Sequence, residues 1–220
     1  MTVPKRITYL EKRDGMTREA FRAHWSTTHA DIARGLPGVT DYRQNHVLES
    51  VPGLEVGLYR VDGIVELWFA NDDVAQAGFE SAVADRLIVD EQEFLSGLTG
   101  GPVNAGPPHT PWPYKLWVLA RWRDESAANF EAVDRWAGQL GIMFDGALGR
   151  GVNVLVPGAE LLVREALRRE AQIPQVAISI GFADGTAAWA AANALTDQLD
   201  GVTDVLTGIY ARVAEELAII

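Results

Sequence analysis

The chain has 220 residues, a formal net charge of −11 at pH 7 and no cysteine. Disulfides, thiolate nucleophiles, iron–sulfur clusters and cysteine zinc sites are therefore excluded, and the acidic balance speaks against a nucleic-acid partner, which calls for a basic face. Hydrophobic residues make up 48% and charged residues 22%, an ordinary globular composition with no apolar run of the roughly 18 residues a membrane span needs. The opening MTVPKRITYLEKR meets charges too early for a signal peptide, so a soluble, cytoplasmic protein without a membrane partner is expected.

RITYLEKR (6–13) reads as a strand with Ile7 and Tyr9 on one side, ended by Asp14-Gly15. Thr17 is placed to cap a helix that runs to RGLPG, where Gly35 and Pro37 stop it. VTDYRQNHVLES (39–50) alternates as a strand, GIVELWFAN (63–71) is a second and more apolar one, and Asn71 or Asp72 caps a helix over about 73–88. The order β-α-β-β-α is that of a ferredoxin-like unit. A Gly/Pro-rich stretch, 96–113, is the boundary signal, with VNAG (103–106) as the candidate fourth strand.

The order then restarts with a strand at 114–122 and a helix at 126–141. At one constant spacing Leu10 matches Leu119, Phe21 matches Phe130 and Ala23 matches Ala132, while FANDDVAQA (69–77) matches FADGTAAWA (182–190). This is the pattern of a drifted tandem repeat. ELLVREALRREA (160–171) has a helical composition, but the repeat makes it the counterpart of the 39–50 strand, and a strand is expected there.

Across Phe21, His24-Trp25, His29, Leu36-Pro37-Gly38, Tyr42 and Gln44-Asn45-His46, the chain resembles the EthD family of the dimeric α/β-barrel superfamily. His24 stands where that family usually has Tyr, and the second repeat lacks the signature. The resemblance and the repeat together imply an α+β fold: two ferredoxin-like repeats packing antiparallel sheets face to face as an intrachain dimeric α/β barrel. The expected units are 1–105, with the signature, and 106–220, a degenerate repeat. One chain would then supply the pseudo-dimer, which could itself form a homodimer.

On a helical wheel Phe21, Trp25, Thr28, Ile32 and Leu36 form the buried stripe, His29 lies at its edge, and His24 lies beyond the opposite edge as a rim residue. Imidazole suits general acid–base work near neutral pH, so His29 is the candidate catalytic residue. The alternative is a packed histidine that only ties down the helix end. Tyr42 is the candidate to orient a substrate oxygen; Tyr9, His24, Trp25, His46, Glu66 and Trp68 are candidates for substrate binding. Glu66 sits within an apolar strand and requires a partner, either an Arg across the barrel or a His in a site. No metal site and no cofactor is expected: His24 and His29 are off the i, i+4 spacing, and no phosphate-binding glycine motif occurs. The resemblance implies a small cofactor-free enzyme acting on a hydrophobic aromatic or polyketide-like molecule by dehydration, cyclisation or a related lyase step. Cofactor-free oxygenation of a phenol and non-catalytic binding of a small molecule are the alternatives.

Overall fold

A computed structural model describes residues 4–51, 54, 60–170 and 172–220. The first four strands are β1 (Lys5–Lys12), β2 (Val39–Ser50), β3 (Gly63–Phe69) and β4 (Leu95–Asn104). Between β1 and β2 lie α1 (Arg18–His24), a π-helical turn (Trp25–His29) and α2 (Ala30–Ala33); between β3 and β4 lie α3 (Asp72–Phe79) and α4 (Ala82–Phe94). The second set is β5 (Tyr114–Trp122), α5 (Phe130–Met143), β6 (Ala147–Leu155), β7 (Val176–Phe182), α6 (Gly185–Ala194) and β8 (Leu206–Ala218).

The strands close one antiparallel barrel in the order β1-β3-β2-β8-β5-β7-β6-β4. Each set has the ferredoxin-like order, and the sets meet twice, β2 against β8 and β4 against β6. Closure removes the sheet edges except along the part of β4 before Val103, where the β4–β6 ladder does not reach. Alternation along each strand sends one set of side chains into the barrel and the other against the helices. Ile7, Tyr9, Ile64, Trp117 and Leu119 pack in the barrel. Leu10, Tyr42 and Val65 pack with the first-half helices, and Leu116, Val118 and Ala120 with those of the second half.

The ladders make the halves equivalent residue by residue. Lys5 lies opposite Trp68 as Lys115 lies opposite Gly181. Arg43 lies opposite Glu66 as Gly151 lies opposite Ser179. Lys5 therefore corresponds to Lys115, and the expected Leu10–Leu119 match is one residue out of register: Leu10 faces the helices and Leu119 the barrel. A one-residue slip moves a side chain to the other face, so the mismatch is decisive. Phe130 likewise does not repeat Phe21. It is the first residue of α5 and 44% exposed, and the helix packs through Val133, Trp136, Ala137 and Leu140.

Other expectations are corrected by local chemistry. The fourth strand, β4, begins eight residues before VNAG and ends within it at Asn104, and it is glycine-rich for a reason: a Cβ on Gly100 would meet the Ile7 carbonyl oxygen at 2.4 Å. The helix expected over 73–88 is two helices, because the Ser81 hydroxyl caps a new start at Ala84 N (3.3 Å). Residues 160–170 of the expected strand 160–171 are neither helix nor strand, and 171 lies outside the described residues. The segment crosses beside β4 as a strap, bonded at Gly100–Leu162 and Gly97–Arg168.

Candidate active site

Thr17 caps α1 as expected, accepting from Ala20 N at 3.1 Å. After α1 the chain widens into the π turn, in which Ala30 N reaches Trp25 O. The added residue rotates the helix. Thr28, expected in the buried stripe, is exposed, and His29 with Ala30 takes its place. Such π insertions recur at functional sites. Trp25 is fully buried, and Gly63 beneath it leaves the room: a Cβ there would meet the indole ring at 2.6 Å.

His29 lines a cavity of about 50 Å³ between the outer sheet face and the helices. Its walls are mostly apolar, Leu36, Val65, Leu87 and Leu98 among them, and its polar lining includes Thr8, Tyr42, Glu91 and Arg164. Arg164 and Leu162 come from the strap, so the second half of the chain completes a cavity of the first. Arg164 is clamped to Glu91 through Nε–Oε2 (2.5 Å) and Nη2–Oε1 (3.2 Å).

Asp90 on α4 links the two histidines. His29 Nδ1 lies 2.9 Å from its Oδ2, and His24 Nε2 lies 2.9 Å from its Oδ1. A carboxylate accepts only, so the His29 Nδ1 carries a proton, and in the neutral imidazole it is Nε2 that holds the lone pair. Partial burial opposes ionisation of Asp90, but the hydrogen bonds from His29 and His24 outweigh it and hold the carboxyl below the usual range. His24, expected at a rim, has a side chain 24% exposed that stacks on Phe94, with ring centroids 4.8 Å apart.

Tyr42 is held by Gln44, whose Nε2 donates to the Tyr42 hydroxyl (2.8 Å) and to Trp25 O (2.8 Å). With both amide protons used, the Gln44 Oε1 accepts from His46 Nε2 at 3.0 Å. The Tyr42 oxygen therefore accepts and keeps its own proton for donation. Burial pushes its phenol well above the ordinary value, so it stays neutral. His46, at a strand position where exposure was the simple alternative, is instead buried, its ring centroid 4.4 Å from that of Trp25 and tilted by 41°. Burial, with Arg22 adding, pushes its imidazole down to about 3.

The structure separates the sequence candidates into two groups. His29 and Tyr42 meet at the cavity, with His24 joined to it through Asp90. Trp25 and His46 form the packing behind, outside the cavity wall. Tyr9, Glu66 and Trp68 point into the barrel on the opposite sheet face. The partner of Glu66 is not an Arg: Lys5 Nζ reaches its Oε1 at 2.7 Å and Lys115 Nζ its Oε2 at 2.5 Å. Burial opposes its ionisation, but the two ammonium groups hold its carboxyl far below the usual range. Sequence reading missed Asp90 and Glu91, whose signal was two acids on the buried stripe Leu87–Phe94. It also missed Arg164, which carried no periodic signal.

An EthD domain model matches residues 13–97, the span that holds His29, Tyr42 and Asp90. The 4-carboxymethyl-4-methylbutenolide mutase of Pseudomonas reinekei is 36% identical over 99 residues, 42% of this chain and 90% of the mutase. An anthrone oxidase-like protein superposes on 100% of this chain and 94% of its own at 9% identity with a TM-score of 0.67. A protein proposed to be a monooxygenase, from Fusobacterium nucleatum, covers 98% of this chain and 93% of its own at 9% identity and 0.60. At these identities the structures speak for the barrel fold alone. The chain belongs to the EthD family.

Proposed function

We propose that the chain is an acid/base enzyme, working without a bound cofactor, that isomerises or eliminates within a small, largely apolar, carbonyl-bearing molecule. The observation that carries this reading is His29 itself. Its Nδ1 is tied to Asp90, its Nε2 keeps a lone pair, and it lines an apolar cavity beside a Tyr hydroxyl free to donate. In this reading Nε2 takes a proton from a carbon activated by the carbonyl. Tyr42 donates a hydrogen bond to the carbonyl oxygen as negative charge develops there. The imidazolium then returns the proton to another carbon, an isomerisation, or to a leaving oxygen, an elimination.

The butenolide mutase supports the isomerisation branch. Its name gives a small lactone as substrate, a carbonyl-bearing molecule of the kind the apolar walls and the Tyr42 hydroxyl would take. At about 50 Å³ the cavity holds a few waters at most, so in this reading it enlarges for substrate as the strap, bridged to β4 at Gly100 and Gly97, moves outward. The two units, 1–105 and 106–220, divide the work: the first supplies the catalytic groups and the second its cover.

The test is turnover of 4-carboxymethyl-4-methylbutenolide and related butenolides, followed by NMR, by wild type, His29→Ala and Tyr42→Phe. Wild type converts at least one of them, His29→Ala loses about 100-fold or more, and Tyr42→Phe loses less. Full turnover by His29→Ala on a converted substrate sinks the assignment.

A further inference from the structure

The larger space lies on the other side of the sheet. A chamber of about 330 Å³ opens at one end of the barrel, lined by Lys5, Trp68, Asn153 and Ser179 within and by Arg150 with Asp134 at its rim. It exists because the two halves, equivalent in register, differ in what they place there. The first half carries Arg43 and Glu66 where the second carries Gly151 and Ser179. Lys5 lies opposite Val103 as Lys115 lies opposite Ala214, and two residues further along the chain Ala105 stands where the other half has Glu216. Gly151, Ser179 and Ala105 all line the chamber. The opening has the same origin. The end of β8 stays paired with β2 through Ala218, whereas β4 ends at Asn104 and the linker leaves the ladder.

The two equivalent lysines are consequently treated differently. Lys115 has two carboxylates, Glu66 and Glu216. Lys5 has only the shared Glu66, its second contact being the neutral Asn153 Oδ1 at 2.6 Å. An ammonium has three donors, so one N–H of Lys5 remains. Ser179 is 1% exposed, and no described residue hydrogen-bonds its hydroxyl. At the rim Arg150 is tied to Asp134 (2.6 Å), so the ammonium of Lys5, shared with Glu66, is the cation that faces the chamber. Trp68 offers an aromatic face, already 4.2 Å from the Lys5 ammonium.

We propose that this chamber is a second small-molecule site, independent of His29, for a compact planar carboxylate. Its anionic group takes the position that Glu66 and Glu216 fill in the other half, bonded by Lys5 and Ser179. Its flat body lies along Trp68.

The probe is benzoate, with benzamide as the neutral isostere, titrated into the full chain and followed by amide and indole NMR. Benzoate shifts the Gly106, Gly151, Asn153 and Ser179 amides and the Trp68 indole saturably, and benzamide at equal concentration does not. Ser179→Ala weakens benzoate by about two- to tenfold, the value of one hydrogen bond. Ser179→Glu rebuilds the missing carboxylate beside Lys5 and abolishes binding, with the barrel intact by its amide spectrum. The proposal is overturned by the absence of saturable shifts up to about 10 mM benzoate. It is equally overturned by shifts confined to residues around His29, by equal binding of benzamide, or by unimpaired binding to Ser179→Glu.

Discussion

Glu66→Gln removes one negative charge from between two buried ammonium groups. Glu66 and Lys115 are 0% exposed and Lys5 is 5% exposed, at separations of 2.7 and 2.5 Å. With an effective dielectric of about 20, each pair is worth about 6 kcal/mol of attraction. Much of that offsets desolvation in the wild type, but the substitution leaves both lysines where they are. Lys115 keeps Glu216, whereas Lys5 keeps only Asn153. Breaking one partner out of such a group costs about 3–5 kcal/mol at neutral pH. The sign of the pH dependence follows. Burial already lowers the Lys5 pKa below its ordinary value, and Glu66 is the chief influence that raises it. Without Glu66 the folded state binds fewer protons than the unfolded state over a wider range below pH 10.5, the ordinary lysine value. The loss relative to wild type therefore shrinks as pH rises toward that value. Urea unfolding of both proteins from pH 7 to 10 measures this. A loss under about 1 kcal/mol, or one unchanged with pH, would refute the reasoning.

His46 makes a second pH prediction. Its pKa falls from 6.5 to about 3 on folding. The unfolded chain thus binds the extra proton between those values, and stability is full above 6.5 and declines by up to about 1.4 kcal/mol per pH unit below it; His46→Gln flattens this part of the urea-derived profile. Gly63→Ala drives a methyl into the Trp25 ring and costs about 1–3 kcal/mol, read as a lowered urea midpoint together with altered near-ultraviolet dichroism. Asp90→Asn keeps the shape but frees the His29 tautomer; turnover falls about 100-fold, and the ¹⁵N shifts of the His29 ring change, a signature that simple loss of stability does not give.

The sequence made most of the scaffold legible because strand alternation and turn glycines are local signals. The strands 39–50 and 114–122 have the bounds their patterns imply, and Thr17 caps as its chemistry requires. The pairing of His29 with a cavity was legible only in part. The wheel set His29 at the edge of the stripe, and the π turn, for which no sequence periodicity exists, carried it inside at the expense of Thr28. Tyr9, Glu66 and Trp68 were sensed as unusual but not as a separate group, because assigning them to the barrel requires knowing which sheet face the helices cover. The misplaced β4 shows the same limit: its glycines read as a linker and serve instead to let β1 approach. The strap could not be read at all, since its partner is an edge left open by the shortness of the β4–β6 ladder.

The central claim is that a proton moves between substrate carbon and His29. Turnover of a butenolide in D₂O, followed by ¹H NMR, tests it most directly. The account predicts deuterium at the reacting carbon with wild type, and loss of both exchange and product with His29→Gln while the protein stays folded. Exchange and product formation at wild-type rates in His29→Gln would contradict it.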